Sequence, residues 1–162
     1  LTIPLLVIAQ VIARVVPDGS VALTSLTGAA NGADPGAALD VRIGQMSVWS
    51  KLTISLGAGI YEELVFRMLL IAVVHTVLVD VLRVPSAWGA SVAIVLSAVV
   101  FTLFHPIHDE RGGLLAQRAA FYLAAGLYFG ALYVARGFGI VVGVHALYDV
   151  AVSIFLLPHD GG

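Results

Sequence analysis

The sequence predicts an all-α fold, a polytopic bundle of about five transmembrane helices. Three observations lead there. Of 162 residues, 60% are hydrophobic and 11% charged, with a mean hydropathy of +1.02; soluble domains carry about 45–50% apolar and roughly 25% charged residues. Charge-free runs are long, 19 residues from Ser86 to Phe104 and 17 from Ala119 to Ala135, and about 20 apolar residues carry a helix across roughly 30 Å of hydrocarbon. These runs lack the alternation of barrel strands, and only helices and closed barrels satisfy every backbone polar group in lipid.

Leu1 to Val16 is the first apolar segment, stopped by "PDGS". It has neither a basic start nor a small-residue cleavage site, so it reads as a spanning helix or the tail of one rather than a signal peptide. Residue 1 is Leu, not Met, which leaves room for helices before it. Residues 17 to 46, rich in Gly, Ala, Asp and Ser, form an extramembrane loop. Ser47 to Leu82 is one long helical pattern, too long for the bilayer at about 1.5 Å per residue, so it is expected to start along the interface and then enter. "VPS" (84 to 86) is a turn, and Ser86 to His105 the third segment. "PIHDERGGLLAQ" is a polar connection to the fourth, Gln117 to Ala135. "RGFG" turns the chain into the fifth, Phe138 to Leu157. The units are therefore 1–46, first segment and loop; 47–157, a single helical core; and 158–162, a tail. Arg83 and Arg136 lie in the two short turns opposite the acidic 17–46 loop, and the positive-inside tendency favours a cytoplasmic side for those turns.

A net charge of −2 argues against a nucleic-acid partner. The absence of cysteine excludes a disulfide framework, a thiolate zinc site and a cysteine nucleophile. No Gly-x-Ser-x-Gly and no His-Glu-x-x-His occurs.

A charge near the bilayer centre costs about 2.5 kcal/mol or more, and such groups persist when paired or when they line a wet cavity. The groups at depth are Glu62, Glu63, Arg67, His75, His145 and Asp149, with His105 ending an apolar run. Side chains four apart share a helix face. Glu63 and Arg67 are so spaced, in the favourable order, and so are Phe101 and His105, and His145 and Asp149. Glu62 is rotated about 100° from Glu63 and has no partner on its own helix. Folded up and down, the chain brings Glu62, Glu63, His105, His145 and Asp149 to one half of the membrane. His75 lies about 18 Å farther along its helix from the glutamates and stays outside. Single polar side chains between membrane helices serve as packing glue, which suits Ser91, Ser97 and Ser153. His108 and His159, beside Asp in polar loops, read as solvated. Two Glu, two His and one Asp at one depth read instead as a reaction centre. Carboxylate and imidazoles can activate water, and two His with carboxylates can also hold a divalent metal such as zinc with water in an open position. Both routes lead to hydrolysis. A cation site for transport would use the same groups, although inverted repeats are absent.

Three motifs carry a family resemblance. "EELVFR" (Glu62 to Arg67) resembles the Glu-Glu-x-x-x-Arg motif of the CPBP intramembrane proteases, a family that includes the CAAX prenyl endopeptidases and bacteriocin-processing or immunity proteins. "FTLFH" (Phe101 to His105) resembles its Phe-x-x-x-His motif, and "HALYD" (His145 to Asp149) its His-x-x-x-Asn/Asp motif. The resemblance spans about 47 to 157. It implies a multi-pass membrane endopeptidase, expected in the cell membrane, acting on a peptide or protein substrate in or at the bilayer. It implies Glu62 as the base that activates water, helped by His105, with His145 and the residue at 149 orienting water or stabilising the oxyanion. Glu63 and Arg67 would support the site, with Phe101 beside them. It leaves open a metal held by His105, His145, Glu62 and Asp149, a metal-free glutamate-activated water, and a non-catalytic scaffold or immunity role. Asp149 departs from the Asn alternative: an ionised Asp accepts hydrogen bonds but cannot donate them. That favours metal ligation, or orientation of His145, over an oxyanion role.

Overall fold

The computed structural model describes residues 3–16, 42, 46–109 and 112–156. Most of the 17–46 loop and the whole 158–162 tail lie outside the described residues. Among the described residues there are five helices and no strand: α1 (Ile3–Val15), α2 (Val48–Val81), α3 (Ser86–Phe104), α4 (Ala116–Arg136) and α5 (Phe138–Ala151, continued by π-helical turns over Val152–Leu156). Three of them, α2, α3 and α4, are long and apolar enough to cross a membrane; the apolar stretches Ile3–Ile12 and Phe138–Ile154 are shorter. The outward surfaces are apolar, as at Val73, Val95, Leu103 and Val134. Trp49 and Trp88, 80% and 70% exposed, stand at opposite ends of the α2–α3 hairpin, where indole rings favour the membrane–water boundary.

Local chemistry sets the helix ends. The Ser47 hydroxyl accepts from the Ser50 N–H at 3.2 Å, capping α2. Arg83 takes the left-handed conformation (φ 59°), letting the Val84 N–H reach back to the Leu78 carbonyl at 2.9 Å. α3 stops at Phe104 because residue 106 is Pro: a residue before proline is driven out of the α region. His105 is accordingly extended (φ −95°, ψ 159°), one residue beyond the helix rather than its last member. Gly137, between α4 and α5, has φ 84° and ψ 174°, a region open essentially to glycine alone.

α2 changes character along its length. It is α-helical to Glu62, π-helical over Glu63–Ile71, α-helical over Ala72–His75 and π-helical again over Thr76–Val81. Its first half packs on α5, and its second half on α3. α3 and α4 share the most extensive contact, and α1 leans on α4, with Leu5 fully buried and the Gln117 side chain donating to the Val16 carbonyl at 3.0 Å. Leu5, Ala125, Phe129, Leu132, Val141 and Val144 form the apolar core.

The α3–α4 contact depends on Gly126. A Cβ at that position would lie 2.8 Å from the Ala98 Cα and 2.9 Å from its Cβ, so any side chain must push the helices apart. Overpacking of this kind costs about 1–3 kcal/mol or more. Gly126→Leu should lower the melting temperature in detergent by several degrees and reduce yield, whereas Gly57→Leu, with nothing within 4 Å of its Cβ, should be tolerated. Equal melting curves for the two variants would contradict this packing.

Of the three serines read as interhelical glue, only Ser97 crosses helices. Its hydroxyl donates to the Phe66 carbonyl at 2.8 Å, inside the π-helical stretch. Ser91 and Ser153 instead bond to carbonyls of their own helix, Ala87 at 2.9 Å and Val150 at 3.2 Å.

Candidate active site

Glu62, Glu63 and Arg67 from α2, His105 from the end of α3, and His145 and Asp149 from α5 come together. His75 does not: it sits far down α2, where its Nε2 is 3.5 Å from the Ser86 hydroxyl.

Each imidazole is held by its Nδ1. The last turn of a helix leaves carbonyls without backbone partners. With His105 bent out of α3, its Nδ1–H turns back and donates to one of them, the Phe101 carbonyl, at 2.8 Å. His145 donates its Nδ1–H to Glu63 Oε1, also at 2.8 Å. A carbonyl and an ionised carboxylate only accept, so both Nδ1 atoms carry a proton, and in the neutral form of each ring Nε2 is left bare.

Both Nε2 atoms point at one carboxylate oxygen. Glu62 Oε2 lies 3.6 Å from His105 Nε2 and 3.8 Å from His145 Nε2. Asp149 Oδ2 lies 3.6 Å from the same His145 Nε2. Glu62 Oε2 is itself buried with no hydrogen-bond partner. With both rings neutral, the centre is a ring of acceptors that lacks a donor.

Behind it lies the ion pair. Glu63 and Arg67 are both fully buried, with Arg67 Nε 3.2 Å from Glu63 Oε2. The guanidinium lies over the Phe101 ring at 4.2 Å and near Phe129 at 5.2 Å and Phe66 at 5.9 Å; a cation over an aromatic face is attracted by the ring quadrupole. Exposure falls across the site from Asp149 (29%), through Glu62 and His105 (17% each) and His145 (8%), to Glu63 (0%).

Asp149 orients His145 less directly than the i,i+4 spacing suggests. The nitrogen whose proton fixes the tautomer is bound by Glu63, from another helix, and Asp149 lies on the Nε2 side. Glu63 therefore has two partners, Arg67 and His145, where the sequence offers one. Two further contacts come from α4, which carries no motif: the Tyr122 ring lies 4.2 Å from the His105 ring centre, and the Phe129 ring stacks on His145 at 4.6 Å and 19°.

The model of the family described as Rce1-like, type II CAAX prenyl endopeptidase, matches residues 44–151. This chain belongs to the Rce1-like family. The match takes in all three motifs and every residue of the centre. No curated protein and no solved structure matches the chain. Membership of the Rce1-like endopeptidases, together with three helices long enough to span, makes the protein a CAAX-type endopeptidase of the membrane, with a peptide substrate.

The acceptor ring bears on a metal. Two imidazole nitrogens and two carboxylates are a donor set suited to a divalent ion such as zinc, the Glu63 contact on Nδ1 is the partner a ligating histidine usually has, and the orphaned Glu62 oxygen fits a cation. The groups are not drawn into a finished cage: among the described residues no three His, Asp or Glu side chains are arranged to grip an ion.

Proposed function

We infer that this Rce1-like protein is a multi-pass enzyme of the cell membrane that hydrolyses a peptide bond of a membrane-associated or lipidated substrate with water activated by Glu62. The observation that carries this reading is the convergence of His105 Nε2 and His145 Nε2 on the unpartnered Glu62 Oε2. A water molecule supplies the hydrogens that three facing acceptors lack. One O–H is directed at Glu62, the other at an Nε2, and an oxygen lone pair is left for the scissile carbonyl carbon. On attack the C–O bond forms, the carbonyl π pair moves onto its oxygen and the proton passes to Glu62. As that pair returns, the C–N bond breaks and the leaving amine takes the proton. Throughout, Glu63 and the Phe101 carbonyl keep both imidazoles in one tautomer, and Arg67 offsets the negative charge of Glu63.

His105, His145, Glu62 and Asp149 are the residues that would hold a divalent ion. Such an ion, when bound, supplies Lewis acidity toward the carbonyl and a more acidic bound water. The bilayer is the reaction medium, and no nucleic-acid partner is implied.

The test is cleavage of isoprenylated and unmodified versions of one peptide by protein purified in nanodiscs. Cleavage of either with a defined scission site supports the reading. Metal-dependent flux without cleavage would favour a cation carrier. Asp149→Asn then separates the roles at position 149. If the carboxylate serves as a metal ligand, activity should fall at least tenfold and the wild type should lose activity to a chelator. Full, chelator-insensitive activity in Asp149→Asn would show instead that an amide serves there and that water is activated without metal.

A further inference from the structure

We propose that α4 is the positioning helix of the site, with Tyr122 holding the His105 imidazole and Phe129 the His145 imidazole. The two aromatic residues are seven apart, two turns on one helix face. Each lies against one of the two imidazoles, Tyr122 at 4.2 Å and Phe129 at 4.6 Å between ring centres. The spacing of the plates thus matches the spacing of the histidines. Gly126 lies between them in sequence and brings α4 within contact of the Ala98 backbone, so one close approach sets both plates.

Tyr122 completes a corner: the Phe101 and Tyr122 ring centres are 6.3 Å apart, so they meet the His105 ring from directions about a right angle apart. The Phe101 ring lies 4.3 Å from the His105 ring and Tyr122 lies 4.2 Å from it, while Nδ1 is tied to the Phe101 carbonyl. His105 follows the helix on an extended residue, so its own backbone does not confine the ring. Two rings set at a corner and one hydrogen bond do so, and together they aim Nε2 at Glu62. Phe129 acts twice: its ring stacks on His145 and also lies 5.2 Å from the Arg67 guanidinium, which joins the imidazole to the ion pair behind it. Tyr122 and Phe129 both act through the histidines, and what they add is orientation. A misplacement of about 1 Å can cost a reaction about a hundredfold.

This inference rests on the hydrolytic reading of the centre, and its test has one arm that does not. In nanodiscs, Tyr122→Leu should lower kcat about tenfold or more with KM little changed, and Tyr122→Phe should restore it, because it keeps the ring that lies against His105. Independently of turnover, nitrogen-15 spectra of the His105 ring should show a single Nδ1–H tautomer in the wild type and in Tyr122→Phe, and an average of two tautomers in Tyr122→Leu. Phe129→Leu should do the same to His145; if that variant does not fold, the Tyr122 pair decides alone. Unchanged kcat and tautomer in Tyr122→Leu would overturn the proposal, and so would a Tyr122→Phe variant as impaired as Tyr122→Leu. A wild type that cleaves nothing would sink the hydrolytic reading while the nitrogen spectra still judged the Tyr122 contact.

Discussion

Glu62→Gln is expected to abolish peptide cleavage while the protein inserts and melts as the wild type does. Loss of a general base costs about 10²–10⁴-fold. The structural side has a definite sign. Glu62 Oε2 makes no hydrogen bond, so the isosteric amide breaks none. It also brings an NH₂ next to two imidazole nitrogens that can accept when the rings are neutral, so the melting temperature should hold or rise slightly. Rates on a cleavable peptide and thermal unfolding of the same preparation check both halves. Wild-type turnover in Glu62→Gln would remove Glu62 from its role as base.

Arg67→Ala should be the most destabilising single change at the site. The guanidinium and the Glu63 carboxylate are both fully buried, and removing one partner of such a pair typically costs about 3–5 kcal/mol. Glu63 would keep only the His145 N–H, and the contact over Phe101 at 4.2 Å would be lost as well. Arg67→Lys should recover part of the stability at most, since an ammonium is a point charge without the planar stacking surface. Yield, melting temperature in detergent and activity should fall together. An Arg67→Ala protein of normal melting temperature that is merely inactive would instead place Arg67 against substrate.

The convergence of Glu62, Glu63, His105, His145 and Asp149 was legible because it follows from helix length and alternating direction. The Glu63–Arg67 pair was legible because i,i+4 neighbours meet on any helix. The pairing of Glu63 with His145 was not: 82 residues separate them, and no local rule links them. The placement of His105 had a signal that went unused, since Pro106 by itself predicts an extended residue before it. The π-helical turns over Glu63–Ile71 leave no mark in composition or spacing; they depend on what packs around α2, including the Ser97 hydroxyl on the Phe66 carbonyl. Tyr122 and Phe129 were hidden for another reason. In a helix as apolar as α4, an aromatic residue facing an imidazole has the same pattern as one facing lipid or core. Among the described residues three helices reach spanning length, and the first and fifth segments are described over the shorter apolar stretches Ile3–Ile12 and Phe138–Ile154.

The ring of acceptors has a consequence for turnover. Hydrolysis converts an amide, which has a hydrogen-bond donor, into a carboxylate, which has none and carries negative charge. Beside Glu62 and Asp149, in a medium of low dielectric where like charges repel strongly, that newly formed C-terminus is the species least welcome in the cleft. On the proposed reaction, the arrangement that draws water in also drives the cleaved chain out, so product inhibition by peptide carboxylates should be weak and the reverse reaction, peptide-bond synthesis, disfavoured at its first encounter.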